Sequence, residues 1–345
     1  MLLGCFRSDR LLLGLVIALS VAASALAQSG KTTVDLVRER GVLRCAVHTG
    51  FAGMSAPDSN GQWKGLFVDY CRALAAVILE DPDKVRFIPV SSQQRFTVLQ
   101  TGEVDVLSRT TSWTLSRDSS LGLNFTGVLF FDGQGFLVPA SLGVQSVNDL
   151  DGATICIKSG TTAELNTAEY FAAAGLKFRP VVFQGSEEAK LAFFSGRCDA
   201  LTTDASVLTS VRIADAERPE DYVVLPERLS KEPLSPTVRS DDDQWFDINK
   251  WLLTVLIAAE EHGITQSNVA TLKDTSANAE VQRILGVKPG MGRALGLDDN
   301  WGYRAIEAVG NYEELYERHI APLGIERGQN HLYTEGGLMY PLPIR

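Results

Sequence analysis

Apolar and polar positions alternate along the chain in short blocks of two kinds. Compact β-prone runs are followed by stretches with helical spacing, and the succession repeats. Gly41 to Val47 predicts a first strand, and Val68 to Leu79, rich in Ala and Leu after a Gly-rich loop, predicts a helix. Arg86 to Val90 is the next strand, and Arg95 to Gln100 is a helix ended by Gly102. A βαβ succession of this kind predicts a parallel sheet whose functional groups lie at the strand ends. Gly133 to Pro139 is extended and is the candidate crossing into a second lobe. There the scheme recurs. A strand at Ala153 to Lys158 and a Ser159-Gly160 turn precede Thr161-Thr162-Ala163-Glu164, a capping box opening a helix that runs to Gly175. Strand, helix and strand follow at Pro180 to Phe183, Glu187 to Phe194 and Cys198 to Thr203, with a further helix starting near Asp204. The return crossing is expected near Pro236 to Arg239, before a long helix over Trp245 to Glu261. Beyond it the pattern is mixed helix and loop.

The recurrence is visible in the residues themselves. Residues 99–112 and 193–206 align with Gly102/Gly196, Asp105/Asp199, Leu107/Leu201 and Ser112/Ser206 in register. In each copy a Gly suited to the left-handed residue past a helix is followed by a run suited to a buried parallel strand. Two such units imply two similar lobes facing one cleft; two unrelated αβ turns are the plainer alternative. The implied division places lobe one at residues 28–137, lobe two at 138–238, and a return to lobe one with a helical extension at 239–345.

The N-terminus carries Arg7 and Arg10, the apolar run Leu11 to Ala23, then Ala25-Leu26-Ala27, the pattern of a secretory signal peptide over residues 1–27. The apolar run is short for a membrane span. Removing this segment takes away two Arg and one Asp, so the formal charge moves from -10 to -11. That acidity argues against nucleic acid as a partner. Four cysteines remain: Cys45, Cys71, Cys156 and Cys198. Export and an even count favour disulfides. Of the three connectivities, Cys45 with Cys71 and Cys156 with Cys198 keeps each bridge inside one lobe. No metal is expected, since Cys-x-x-Cys is absent and the His residues are scattered.

Four polar features fall where a cleft would lie. Thr110-Thr111-Ser112 with Arg117 offers a guanidinium near strand-end N–H groups, a match for a carboxylate, although a solvated surface Arg fits the pattern too. Ser159-Gly160-Thr161-Thr162 forms a helix N-terminus able to attract an anion, or simply a cap. Asp204, at the position matching Thr110, can hold an ammonium or serve as a second N-cap. Ser91-Ser92-Gln93-Gln94-Arg95 is a polar turn in which Ser92 suits a cap. Arg95 opposes the helix dipole there, which suggests that it faces a second, acidic or amide, end of a ligand. An anion site, a cation site and a further polar site across two lobes describe a zwitterion with a polar side chain, and an amino acid is the simplest. Against catalysis, there is no Gly-x-Ser-x-Gly, P-loop or Rossmann fingerprint, and no cofactor is expected. Asp241-Asp242-Asp243 reads as a solvated turn.

These motifs coincide with a known family. Gly41-Val42-Leu43-Arg44-Cys45, Val68-Asp69-Tyr70-Cys71-Arg72, Thr114-Leu115-Ser116-Arg117-Asp118, Asp132-Gly133-Gln134-Gly135-Phe136, Ser159-Gly160-Thr161-Thr162 and Thr202-Thr203-Asp204 resemble the periplasmic solute-binding proteins of polar amino-acid ABC importers. The tail, with Gly290-Met291-Gly292 and Gly310-Asn311-Tyr312, looks like the longer, general L-amino-acid branch. The resemblance implies an α/β, two-lobed type II periplasmic-binding-protein fold with two mixed sheets and a hinge of two crossing strands. It implies ligands such as glutamate, glutamine, aspartate and asparagine, a membrane permease as partner, a monomer, and no enzymatic activity. A periplasmic cyclohexadienyl dehydratase on the same scaffold is the rival. By this resemblance Arg117 takes the ligand α-carboxylate with backbone help at Thr110, Ser112 and Thr162, beside Thr161, and Asp204 takes the α-ammonium. Ser92 and Arg95 would meet the ligand side chain and His48 would add a cationic contact. At Leu66-Phe67, where the family has Phe-Asp after Gly65, the sequence departs from the pattern.

Overall fold

The structure, a computed structural model, describes residues 30–345 apart from Thr49. The signal peptide expected at residues 1–27 lies outside the described residues. Helix α1 (Thr33–Arg40) opens on a capping box made by Thr32 and Asp35. β1 (Leu43–Val47) leads through a small hairpin, β2 (Ala56–Pro57) with β3 (Trp63–Lys64), to α2 (Leu66–Leu79). α2 is apolar on nearly every face and buried along most of its length, so it is a central helix. It can start where it does because Gly65 has φ 134° and a Cβ there would lie 2.2 Å from the Met54 carbonyl oxygen. β4 (Val85–Pro89), α3 (Arg95–Gln100), β5 (Val106–Leu107), α4 (Leu115–Ser120) and β6 (Leu123–Phe125) complete the first pass through lobe one.

The chain then crosses on β7 (Phe130–Asp132) and enters lobe two with β8 (Gln134–Pro139), β9 (Thr154–Lys158), α5 (Thr162–Ala173), β10 (Arg179–Phe183), α6 (Ser186–Phe194), β11 (Ala200–Asp204), α7 (Ala205–Ala214) and β12 (Tyr222–Val224). It returns on β13 (Glu232–Leu234) and rejoins lobe one with β14 (Thr237–Arg239) and α8 (Asp243–Glu261). The remainder is α9 (Val269–Thr275), α10 (Ala279–Ile284), α11 (Met291–Ala294), α12 (Trp301–Val309) and α13 (Tyr312–His319), followed by loops and short turns of 3₁₀ helix.

The two five-stranded sheets have corresponding orders, β4-β1-β5-β14-β6 and β10-β9-β11-β8-β12. In each the first three strands are parallel and the fourth is antiparallel to the third. In each, that fourth strand is the one that follows a crossing. The crossings pair with each other as an antiparallel ribbon, Glu232 opposite Asp132, Pro233 opposite Phe131 and Leu234 opposite Phe130. They lie a few residues earlier than the sequence pattern places them. Gly133–Pro139 is taken up by β8, inside the second sheet, and Pro236–Arg239 by β14, inside the first.

The sequence repeat has a structural cause. Gly102 and Gly196 have φ 73° and 77°, ending α3 and α6. The Asp105 carboxylate accepts the Arg44 N–H and the Asp199 carboxylate accepts the Thr154 N–H, each at 2.7 Å, pinning β5 to β1 and β11 to β9. Disulfides join Cys45 to Cys71 and Cys156 to Cys198, one per lobe. Asp242, read as part of a solvated turn, instead caps α8 through the Trp245 N–H and also holds the Thr33 N–H.

The C-terminal helices dress lobe one, with α12 lying along α2 and α13 against α8. Asp69 of α2 accepts from Arg72, Arg318 and His319 at 2.7–2.9 Å. Burial works against its ionisation, but the bonds to His319 and Arg72 outweigh it and hold the carboxyl at about 2.

Candidate binding site

The C-terminal ends of the central strands of both sheets converge on one cavity. Lobe one contributes Ser92, Arg95, Arg109, Thr110, Ser112 and Arg117, and lobe two contributes Lys158, Thr161, Thr162, Ala163, Thr203 and Asp204. The cavity measures about 20 Å³, room for roughly one water molecule. The lobes are therefore shut on it, and contacts bridge them around its rim. Gln93 donates to the Ser159 hydroxyl at 3.0 Å, Arg95 to the Gly160 carbonyl at 3.1 Å, and Ser210 to the Ala52 carbonyl at 2.9 Å.

Charge in the cavity is lopsided. Arg95, Arg109, Arg117 and Lys158 surround it, facing the single lining carboxylate of Asp204. Among the described residues none of these four cations is ion-paired to a protein carboxylate. Arg109 is buried, donating to the Val90 carbonyl at 2.6 Å and the Ser92 hydroxyl at 3.2 Å, while the Nε groups of Arg95 and Arg109 have no partner. Arg117 donates to the Ser112 carbonyl at 2.9 Å, and the Arg95 and Arg117 guanidinium carbons lie 4.5 and 5.5 Å from the Phe96 ring centroid. Burial lowers the pKa of all four cations, and mutual repulsion adds to the effect at Arg95, Arg109 and Lys158. A buried cluster of like charges with spare donors is costly alone and is relieved by an anion.

Asp204 sits at the N-cap position of α7 yet makes no cap hydrogen bond. That work is done by Asp132 of the crossing ribbon, which accepts the Ser206 N–H at 3.3 Å and the Ser206 hydroxyl. With the helix end satisfied by Asp132, the Asp204 carboxylate is left to face the cavity. Burial, Asp132 and Glu232 push its pKa well up, and Lys158 and Arg117 oppose them. A cationic group placed against it would stabilise the ionised form. α5 brings its N-terminus at Thr162 and Ala163 to the same cavity, with the positive end of its dipole.

Eight of the nine expected ligand-contact residues thus line one space: Ser92, Arg95, Thr110, Ser112, Arg117, Thr161, Thr162 and Asp204. His48 does not. Its ring stacks on Phe51 with centroids 3.9 Å apart, the Gly50 N–H donates to Nδ1, and Nε2 lies 3.4 Å from the Ser186 hydroxyl. Burial and the neighbouring Arg109, Lys158 and Arg95 hold it neutral, so the cationic contact expected of it is absent. Lys158 and Arg109 supply the charge instead. Ser92 is not a helix cap; α3 begins at Arg95, and the Gln94 N–H goes to the Ser91 hydroxyl.

Arg109, Lys158, Thr203, Glu232 and Asp132 were given no role at the site from sequence, although Asp132 and Thr203 lie in the motifs that carry the resemblance. The repeat held a signal for two of them, because Arg109 aligns with Thr203 one position before the Thr110/Asp204 pair, and all four positions line the cavity.

Residues 43–322 match the family model of the bacterial extracellular solute-binding proteins, family 3. The chain is 46% identical over 339 residues to the general L-amino acid-binding periplasmic protein AapJ of Rhizobium johnstonii, covering 97% of this chain and 99% of that protein. It is 45% identical over 331 residues to the glutamate/glutamine/aspartate/asparagine-binding protein BztA of Rhodobacter capsulatus, covering 95% and 98%. Among solved structures, an ABC transporter periplasmic binding protein from Brucella ovis with glutathione bound superposes with a TM-score of 0.89 at 48% identity, covering 91% of this chain and 100% of that one.

Proposed function

Because this chain belongs to the bacterial extracellular solute-binding proteins, family 3, we propose that it is the periplasmic capture component of an ABC importer for L-amino acids. The two lobes close on the amino acid and the closed form is handed to the membrane permease. Residues 1–27 direct export and are removed. Relatives matched over nearly their full length carry names of this kind.

The observation that carries the reading is the set of four cations, three buried and Arg117 half-buried, facing one carboxylate in a space reached from both lobes. Arg117 takes the α-carboxylate through charge-assisted hydrogen bonds, aided by the N-terminus of α5 at Thr162. Asp204 takes the α-ammonium. Arg95, Arg109, Lys158 and Ser92 remain for the far end of the ligand, where excess positive charge favours a carboxylate or an amide oxygen. Glutamate, aspartate and their amides fit this description. Closure follows from chemistry: one end of the ligand is held by Arg117 of lobe one and the other by Asp204 of lobe two, so both are satisfied only when the lobes meet.

Calorimetry on ligand-stripped protein with a panel of L-amino acids tests the reading. Glutamate, glutamine, aspartate and asparagine should bind without turnover, and Arg117→Ala should weaken binding by about 100-fold or more, the scale of losing a paired charge-assisted contact. Unchanged affinity in that variant rejects the assignment. Release of a decarboxylated, dehydrated product from a prephenate-like acid would favour the dehydratase reading.

A further inference from the structure

The crossing ribbon carries two acidic residues at one rung. Asp132 and Glu232 are directly opposite in the antiparallel register, so their side chains share a face. Like charges at such a rung are unfavourable, which calls for a reason. Each carboxylate receives a hydroxyl from the serine that ends one copy of the sequence repeat, Ser206 to Asp132 and Ser112 to Glu232. The symmetry stops there. Asp132 serves only the second lobe, whereas Glu232 reaches both.

We propose that Glu232 is the residue that sets how firmly this protein holds its ligand, a hinge carboxylate that clasps the two lobes together in the shut form. The inference rests on the lobe-closure reading above. Glu232 is 2% exposed. One of its oxygens, Oε2, accepts from Ser112 Oγ of lobe one and from Thr162 Oγ1 of lobe two, the latter at 3.0 Å. The other, Oε1, accepts from Asn166 Nδ2 of α5 at 3.1 Å and from Ser230 Oγ at 2.6 Å. A backbone bridge between Ser112 and Leu234 ties Ser112 to the same strand as Glu232. When the lobes part, that pair stays together, and the bonds that must break are those to Thr162 and Asn166 on α5. They form only on closure and add to whatever the ligand contributes. Glu232 also fixes hydroxyl polarity. With Ser112 and Thr162 both donating to it, their hydrogens point away from the cavity, leaving backbone N–H groups and Arg117 to meet an anion. Glu232 is therefore a positioning residue, acting on the ligand through Ser112, Thr162 and the closure equilibrium.

Two variants and one cycle test this. Glu232→Gln keeps shape but leaves a single acceptor oxygen for the four donors; Asn166→Ala removes one donor that does not line the cavity. Calorimetry and stopped-flow binding with L-glutamate, together with small-angle scattering of the free and glutamate-saturated forms, should give a Kd raised about tenfold for Glu232→Gln and about threefold for Asn166→Ala. The change should fall mainly on the dissociation rate, with the ranking of amino acids preserved. In the double variant the losses should be less than multiplicative, because Asn166 already competes with three other donors for the one oxygen that glutamine keeps and has less to lose. Melting temperatures of the ligand-free variants report whether folding is intact. Folded variants with unaltered dissociation rates, or with strictly multiplicative losses, overturn the clasp while leaving the amino-acid assignment standing. Wild-type protein that binds no amino acid fails that assignment instead. In that event, equal compactness of the ligand-free wild type and Glu232→Gln in scattering overturns the clasp too.

Discussion

Lys158 ends β9 inside the cavity, and there burial, together with the nearby Arg109 and Arg95, lowers its ammonium to about 7 against the favourable pull of Asp204. Near neutrality the free protein therefore holds this site partly uncharged. An anionic ligand end placed beside it favours the protonated form, so binding takes up protons, and affinity for glutamate should fall as pH rises through about 7. Calorimetry in buffers of different ionisation enthalpy should show that Lys158→Met takes up fewer protons on binding than the wild type, since any release from Asp204 is common to both. That lysine and Arg109 illustrate what residue patterns conceal. Both sit in β-prone runs where a charge reads as a solvated end, and only the stacking of neighbouring strands turns them inward. Asp204, Thr110 and Ser112 were legible because they lie at or just past the ends of β11 and β5, where a parallel sheet delivers its polar groups, and Arg117 follows in the first turn of α4. His48 misled for the opposite reason. It too follows a strand, β1, but Phe51 and Ser186 enclose it and burial removes its charge.

At the scale of elements the crossing ribbon is the decisive piece, and its edges are finished by other parts of the chain. Phe131 and Pro233 face each other with their polar groups turned outward, so the missing N–H of Pro233 costs the ladder nothing. On one side the Trp113 N–H donates to the Pro233 carbonyl at 2.8 Å. On the other, the Asn330 side chain imitates a third strand, accepting the Phe131 N–H at 2.7 Å and donating to its carbonyl at 3.0 Å. Tyr312 adds a bond to the Leu129 carbonyl at 2.9 Å, and its neighbour Tyr316 stacks on Phe130. The C-terminal extension thus braces the hinge. Asn330→Ala should lower stability by roughly 1–3 kcal/mol, the cost of leaving a buried backbone pair unmet. It should also speed amide exchange at Phe131, measurable by mass spectrometry. Sequence patterning found the core strands and longer helices of both lobes within a residue or two, but not α1, the β2–β3 hairpin, α4, β6 or β12. It missed the ribbon because Phe130–Asp132 and Gln134–Pro139 are separated only by Gly133 and read as one extended run. The tail stayed unplaced because its helices are short, and contacts with α2 and the ribbon fix them more than their own periodicity does.

Taken whole, the molecule confines its covalent cross-links and shares its non-covalent ones. The bridges close segments separated by 26 and 42 residues, worth about 3–4 kcal/mol each by restricting the unfolded chain. Neither spans the cleft. Reduction should therefore lower the melting temperature markedly while leaving glutamate affinity within about threefold, provided binding is measured well below the new transition. The sheet orders carry one further consequence, for the sequence of events as the polypeptide emerges N-terminus first. Lobe two is a single continuous stretch and can be finished as soon as β12 is available. Lobe one lacks β14, its fourth strand, until residue 239 has appeared, and the ribbon's outer edge has no cover until Asn330 arrives. The part begun first is completed last, so for most of its synthesis the chain cannot reach its compact state.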